Sequence, residues 1–279
     1  MLNSAARRCQ LGALIEGPES RGFVWVLIVF SVLGSLLNPS APAQNVELRF
    51  AVLVFSKTTG FRHDSIPQGI TTIRALGADY DFAVESTEDA ARFTDAELGR
   101  YRVVVFLNTT GDILDSGQKA AFERFIRSGG GFVGIHSASD TEYRWAWYGR
   151  LVGAYFASHP EIQRATVRIE DPDQVSTKDL PRSWERTDEW YNFRSNPRGT
   201  VQVLAVLDES TYSGGKMGAD HPIVWCQLID GGRSWYTGMG HTRESYAEPL
   251  FRLHLLGGIE TAAGTAEGCA AAGLPVRRE

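Results

Sequence analysis

The sequence predicts an α/β fold: a mainly parallel sheet with helices on both faces, followed by a mixed or antiparallel extension. Three observations support this fold class. Short apolar runs alternate with segments of helical spacing in the first half of the chain, and these runs contain few polar residues, as strands do when both faces are covered. After residue 140, strand-like segments follow one another with few helical segments between them.

The elements of the first half follow the order expected of a parallel sheet. A helix is predicted from residue 66, where Ser65 precedes the helical spacing and Pro67 fits the first turn. A second helix begins at Ser116 and ends at Gly129. The strands of this part are predicted at residues 48–56, 82–85, 103–107 and 132–135.

The second half is predicted to extend the sheet. Its strand-like segments are residues 165–170, 200–207, 223–229 and 233–238. Gly231 and Gly232 between the last two segments indicate a hairpin. A closing helix is expected at residues 249–257, within one domain that spans residues 44–264. The Ala/Gly-rich and then charged end predicts a flexible tail at residues 265–279.

The first 43 residues have the parts of a secretory signal peptide. Basic residues precede an apolar run at residues 23–37, and residues 41–43 (APA) supply small side chains for cleavage. The run of fifteen residues is shorter than the roughly 20 that span a bilayer. We therefore expect cleavage and export to the periplasm or the extracellular space, without stable membrane association afterwards. An uncleaved anchor is the alternative.

The net charge bears on the class of binding partner, and the cysteines bear on disulfide bonding. The formal net charge is -5, which argues against nucleic acid because binding it needs concentrated positive charge. Cys226 lies in a strand-like run and Cys269 in the Ala/Gly-rich tail. A disulfide between them and two separate thiols both remain open. A homo-oligomer also remains open.

Histidines follow several predicted strand ends. Residues 129–140 (GGGFVGIHSASD) place His136 directly after the fourth parallel strand, and open α/β sheets bind ligands beyond their carboxyl strand ends. His63 and His241 also follow strand ends. The three imidazoles could therefore converge to bind a divalent metal or to transfer protons near neutral pH. The alternative for each is a loop histidine that bonds a backbone group.

A second polar segment, residues 187–191 (TDEWY), sets two carboxylates beside two aromatic rings. Asp188 or Glu189 would suit a general acid or base if desolvation raises its pKa. Aromatic faces beside carboxylates suit a sugar, although core packing explains the rings equally well. The predicted catalytic residues are His136, Asp188, Glu189 and His241, and the candidate metal ligands are His63, His136 and His241. The residues predicted to bind substrate are His63, Ser137, Asp140, His159, Trp190 and Tyr191.

Acyl-transfer chemistry is the weaker interpretation of these motifs. Residues 134–138 have the shape of a nucleophile elbow, but His136 stands where such an enzyme places Ser or Cys. A Ser-His-Asp hydrolase built on Ser137 is therefore a minor alternative. His159 and Glu161 have the spacing of part of a glutaminase triad, but they fall mid-chain and no cysteine is present for them to activate.

Together these motifs resemble the ThuA-like family, named for trehalose utilisation. The resemblance spans roughly residues 48–264 and rests on residues 59–63, 129–137, 188–191, 220–225, 236–242 and 256–259. It implies a flavodoxin-like sheet of the class I glutamine amidotransferase type, without the amidotransferase cysteine, and a role in carbohydrate metabolism. Thr261 and Ala262 depart from the family, which more usually has Trp there.

The residues and the resemblance lead to one main functional hypothesis. An exported protein of carbohydrate catabolism would act on a disaccharide, a glycoside or its 3-keto derivative by hydrolysis, elimination or isomerisation. A ketone acidifies the neighbouring C–H, so His136 or Glu189 could remove that proton while His63 or His241, alone or through a metal, polarises the carbonyl. A non-catalytic carbohydrate-binding module is the alternative, and a glutaminase-type amidotransferase would rest on the fold alone.

Overall fold

The computed structural model describes residues 48–266 and residue 269. The predicted signal peptide at residues 1–43 and most of the predicted tail therefore lie outside the described residues. Within the described part of the chain, no helix has both the length and the apolar character needed to cross a membrane.

The parallel half of the sheet matches the prediction. Its strands are β1 (Phe50–Phe55), β2 (Phe82–Thr87), β3 (Val103–Leu107) and β4 (Gly131–Ile135). In the described residues β2, β1, β3 and β4 are neighbours in that order, and every pair is parallel. The side chains of β3 and β4 are completely buried. Continuous burial explains why these strands appear in the sequence as uninterrupted apolar runs.

Helices cover both faces of this sheet. They are α1 (Ile66–Asp79), α2 (Asp95–Leu98), α3 (Ser116–Arg127), α4 (Ala146–Val152), α5 (Arg243–Ala247) and α6 (Pro249–Ala263). Phe106 of β3 stacks on Phe122 of α3 with ring centroids 5.3 Å apart. The next residue, Leu107, faces α1 so closely that a Cβ on Gly69 would lie 2.9 Å from it. Because successive strand residues point to opposite faces, α1 and α3 lie on opposite sides of the sheet.

The second half continues the same sheet, largely as antiparallel strands. The strands are β6 (Gln163–Ile169), β7 (Ser183–Asp188), β9 (Gln202–Asp208), β10 (Pro222–Ile229) and β11 (Gly232–Thr237), and a separate pair comprises β5 (Phe156–Ser158) and β8 (Asn192–Phe193). The described sheet has the order β2-β1-β3-β4-β11-β10-β9-β6-β7. β11 is parallel to β4, and every later pair is antiparallel. The predicted extension is thus confirmed.

The structure differs from the sequence prediction at several elements. Strands β5, β7 and β8 and helices α2, α4 and α5 were not predicted, and α6 continues to Ala263 instead of ending near residue 257. The hairpin between β10 and β11 turns on Asp230 and Gly231, both with positive φ, while Gly232 already belongs to β11. Asp-Gly is a preferred pair for this two-residue turn. Cys226 of β10 and Cys269 form a disulfide, which resolves the alternative that the sequence left open.

Candidate functional site

His136 is held in a strained position at the end of β4. Its φ of 49° lies in the left-handed region, which residues other than glycine rarely adopt. His136 also begins a short 3-10 turn over residues 136–140. Tyr236 supports the turn by donating its hydroxyl proton to the His136 carbonyl at 2.8 Å. The ring Nδ1–H donates to the Gly238 carbonyl at 2.9 Å. This bond leaves Nε2 as the basic nitrogen, and Nε2 faces the centre of the site.

Three histidines converge, as expected from their positions just after strands. The ring of His63 lies 5.0 Å from that of His136 and 4.9 Å from that of His241, and the last two rings are 5.1 Å apart. Glu189, which follows β7, completes the group. One donor atom from each of the four residues lies within 4.8 Å of the others. We call these four residues the His/Glu cluster.

Three donor atoms of the His/Glu cluster have the spacing of ligands around one ion. Glu189 Oε2 lies 3.3 Å from His136 Nε2 and 3.1 Å from His241 Nδ1. The two nitrogens are 3.1 Å apart. Nitrogen and oxygen ligands about 2.0–2.2 Å from a divalent metal stand roughly 2.8–3.6 Å from one another, depending on the coordination geometry. These three donors therefore fit one ion, and His63, whose donor atom lies within 4.8 Å of the others, is the candidate fourth ligand.

The electrostatics of the cluster favour a cation. Burial, with His136 and His241 nearby, lowers the pKa of His63 to about 2, so that its imidazole stays neutral. Burial would raise the pKa of Glu189, but hydrogen bonds with His136 and His241 outweigh it and hold that pKa well below its usual range. Burial alone would lower the pKa of His241, but the contact with Glu189 outweighs burial and raises that pKa. An ionised carboxylate among imidazoles is a donor set that zinc and other transition metals accept.

A cavity of about 330 Å³ opens against the cluster. Its walls are Phe61, His63, Asp140, Phe156, His159, Glu189, Tyr191 and His241. The Tyr191 ring packs between His136, at 4.1 Å, and Phe156, at 4.3 Å. Burial raises the pKa of Asp140, whose Oδ1 accepts a 2.5 Å hydrogen bond from Tyr143. We call this space the inner cavity; its volume and its mixed aromatic and polar walls are typical of small-molecule sites.

His159 is positioned differently from the other histidines. Its side chain is 43% exposed, and its Nδ1 lies 3.1 Å from Glu189 Oε1 and 2.9 Å from the Pro160 carbonyl. Both neighbours are acceptors, so Nδ1 carries the proton and Nε2 is the basic atom. A carboxylate that orients an imidazole in this way is the arrangement that prepares a histidine for proton transfer. The sequence suggested only a substrate contact for His159.

Two predicted site residues lie away from the inner cavity. Asp188 is fully buried and accepts hydrogen bonds from the backbone N–H groups of Gly240 and His241, at 2.9 and 3.0 Å. It therefore positions the His241 loop, and the structure does not support its prediction as a catalytic group. Trp190 is buried with its Nε1–H bonded to the Gln163 carbonyl, so the predicted substrate contact is not supported either.

Ser137 and His136 lie behind the wall of the inner cavity. Both side chains are completely buried, and neither lines the inner cavity. Ser137 Oγ lies 3.3 Å from His63 Nδ1, a contact that orients the His63 ring. This contact gives Ser137 a supporting position, and the position of His136 suits a ligand of the cluster. The predicted roles of both residues toward substrate stay predictions.

The sequence analysis missed two aromatic residues at the inner cavity. Phe156 belongs to β5, a strand that was not predicted. Phe61 is 65% exposed, and its ring contacts His63 edge-on at 4.9 Å. The signal for Phe61 was present, since a large apolar side chain in a polar loop two residues before a candidate ligand has no core to fill.

Comparison with known proteins agrees with this fold. A family profile described as "ThuA: Trehalose utilisation" matches residues 51–262. A ThuA-like protein of Bacteroides uniformis has a similar structure (TM-score 0.67, 25% identity, 80% of this chain and 95% of that chain). A ThuA-like protein of Parabacteroides merdae shares the fold at 17% identity (TM-score 0.62, 81% and 92% covered). No match was found among curated proteins. Because the profile covers more than half of the 279 residues, the chain belongs to the ThuA family, described as trehalose utilisation.

Proposed function

We propose that this protein is an enzyme of carbohydrate catabolism that transfers a proton on a disaccharide, a glycoside or its 3-keto derivative. Membership of the ThuA family supports a carbohydrate-related role. The observation that carries the more specific proposal is the inner cavity, where the His/Glu cluster and His159 meet three aromatic rings. Phe61, which is exposed, and Phe156, which is partly exposed, offer apolar surface for the C–H groups of a sugar, and Asp140 offers a hydrogen-bonding group for its hydroxyls.

His63, His136, Glu189 and His241 are the residues that would hold a divalent metal. The donor spacing described above fits such an ion, and the hydrogen bond from His136 Nδ1–H to Gly238 fixes that ring as a ligand. When bound, the ion would supply Lewis-acid polarisation of a sugar oxygen.

His159 is the group that we assign to proton transfer. Its Nε2 can accept a proton from the sugar carbon beside a carbonyl, where the C–H is acidified. Nδ1–H donates to the Pro160 carbonyl, and Glu189 Oε1 lies 3.1 Å from the same nitrogen. The protonated ring would then be stabilised by the Glu189 carboxylate, as in other carboxylate–histidine pairs. In an isomerisation the same nitrogen could return the proton to a neighbouring atom of the enolate. In an elimination the glycosidic C–O bond β to the ketone would break, and the nitrogen could give the proton to the departing oxygen.

Deuterium exchange tests this assignment directly. The full chain is incubated in D₂O with 3-keto-trehalose or a 3-keto-glucoside, with and without chelator, and the sugar is followed by NMR. Proton transfer predicts deuterium at the carbon next to the ketone. His159→Gln should slow exchange by about 10²- to 10⁴-fold, the usual contribution of a general base. Glu161→Gln, an exposed neighbour, is the matched control and should exchange at the wild-type rate.

The same experiment separates the alternatives. Sugar binding without exchange or turnover across a panel of saccharides would favour a carbohydrate-binding module. Equal exchange in His159→Gln and wild type would refute the role of His159. A glutaminase activity remains disfavoured, since His136 stands at the elbow position that would need a cysteine.

Export is part of the proposal. The disulfide between Cys226 and Cys269 supports an oxidising compartment, where such bonds persist. Together with the signal-like segment at residues 1–43, it suggests a periplasmic or extracellular protein. Sequencing the N-terminus of the protein from its expressing cells should show a chain that begins at Gln44. A chain that keeps the apolar run would point instead to an anchor.

A further inference from the structure

A second cavity continues from the inner one. It measures about 510 Å³ and shares Phe61, His63 and His241 with the inner cavity. Its other lining residues are Arg62, Asp64, Ile162, Thr242, Arg243 and Glu244. We call it the outer cavity. The His/Glu cluster therefore lies beside a cleft with two compartments.

Two exposed apolar side chains face the outer cavity. Phe61 is 65% exposed and stands at the boundary between the two cavities, and Ile162 is 46% exposed on the outer one. Single exposed apolar residues are common, but two of them on one cavity beside a polar site form a surface that a ring can cover. The exposed Phe61 face suits the C–H face of a sugar ring.

The carboxylates at the outer cavity outnumber its guanidinium groups. Arg62 is paired with Glu88 through two hydrogen bonds of 2.6 and 3.0 Å. Arg243 is paired with Asp64 at 3.0 Å. Each guanidinium therefore already has a carboxylate, and Glu244 adds a further negative charge to the lining. This distribution of charge favours an uncharged ligand over an anionic one.

We propose that the outer cavity is the subsite for the second ring of an uncharged disaccharide or glycoside, with Phe61 as its stacking platform. The reacting ring then occupies the inner cavity, so the protein selects two-ring substrates over single sugars. This inference rests on the proposed function of the inner cavity and adds a second-ring subsite and a specificity-determining residue.

Binding selectivity tests the subsite without requiring turnover. Calorimetry on the full chain compares trehalose and maltose with glucose and with trehalose 6-phosphate. We expect the disaccharides to bind more tightly than glucose or the phosphate. Phe61→Ala should reduce the disaccharide-to-glucose affinity ratio about tenfold, and Phe61→Trp should preserve it. Leu228→Ala, which removes a 43% exposed side chain from β10, is the matched control and should keep the wild-type ratio.

The outcomes distinguish this subsite from the chemistry of the inner cavity. Disaccharide selectivity that depends on Phe61, in a protein that exchanges no deuterium, would support the subsite while the proton-transfer proposal fails. Equal affinity for disaccharides and glucose would overturn the subsite, as would an unchanged ratio in Phe61→Ala. Tighter binding of trehalose 6-phosphate than of trehalose would overturn the uncharged substrate class.

Discussion

Replacing Asp188 by asparagine tests whether this carboxylate builds the site or takes part in its chemistry. Asp188 Oδ1 accepts from the backbone N–H groups of Glu189 and His241, both at 3.0 Å. Oδ2 accepts from Gly240 N–H, from Ser245 Oγ and from Arg186 Nη2, at 2.9, 3.0 and 3.1 Å. In Asp188→Asn one of these oxygens becomes an NH₂ group, which faces donors that it cannot satisfy.

The expected loss of stability follows from the burial of the ion pair between Arg186 and Asp188. The side chains of Arg186 and Asp188 are 3% and 0% exposed. Among the carboxylates of the described residues, Arg186 would keep Glu248, whose Oε2 lies 3.4 Å from Nη1. Breaking a buried ion pair by changing one partner costs about 3–5 kcal/mol. For a domain of this size, that loss corresponds to a decrease in Tm of roughly 6–20 °C.

Thermal unfolding followed by circular dichroism measures this decrease. Glu185→Gln is the matched control, since Glu185 is the neighbouring carboxylate on β7 and pairs with Arg164 at the surface. That exposed pair should contribute less than about 1 kcal/mol. Arg186→Met combined with Asp188→Asn should be less destabilised than the sum of the single changes, because no buried charge is left unpaired. An Asp188→Asn protein that melts with the control yet loses deuterium exchange would refute the positioning role and restore a catalytic one.

Two further predictions concern stability away from the site. Burial lowers the pKa of His254 to about 3 from 6.5, so between these values the unfolded chain takes up a proton that the folded protein excludes. The free energy of unfolding should fall as pH decreases, by about 2 kcal/mol at pH 5 from His254 alone. Denaturant titrations at several pH values should show a weaker dependence of this free energy on pH in His254→Gln than in the wild type. An unchanged pH dependence would contradict this. Cys269→Ser opens the loop closed with Cys226 across 43 positions and should cost about 2–4 kcal/mol. A wild-type Tm that does not respond to reductant would argue against the bond.

The parallel strands could be predicted because helices cover both of their faces, whereas β7 could not. Its residues alternate strictly between exposed and buried, as expected of a half-buried strand. Trp184, Arg186 and Asp188 occupy the buried positions. Two of these three are charged and bury each other, so the strand carries the right period without the apolar pattern that would reveal it. Hydrophobicity alone cannot find a strand whose interior face is an ion pair.

The convergence of the histidines was predictable for a related reason. β4 and β11 are parallel neighbours, so residues that follow them emerge at the same edge of the sheet, which brings His136 to His241. The sequence could not show which of Asp188 and Glu189 faces the cavity. Consecutive residues point in different directions, and the choice depends on Arg186, whose burial is a tertiary effect.

The antiparallel extension completes the site. β7 lies five places from β4 in the strand order, yet Glu189 directly after it contacts His136, which follows β4, and His241, which follows β11. Two contacts fix the position of Glu189: Asp188 accepts from the His241 backbone N–H on one side, and His221 Nε2–H donates to the Tyr191 carbonyl on the other, at 2.8 Å. Without β7, the imidazoles after β4 and β11 would lack Glu189, the carboxylate that lies beside His159 and would balance a cation. The chemistry proposed here therefore depends on the half of the fold that the sequence pattern revealed least.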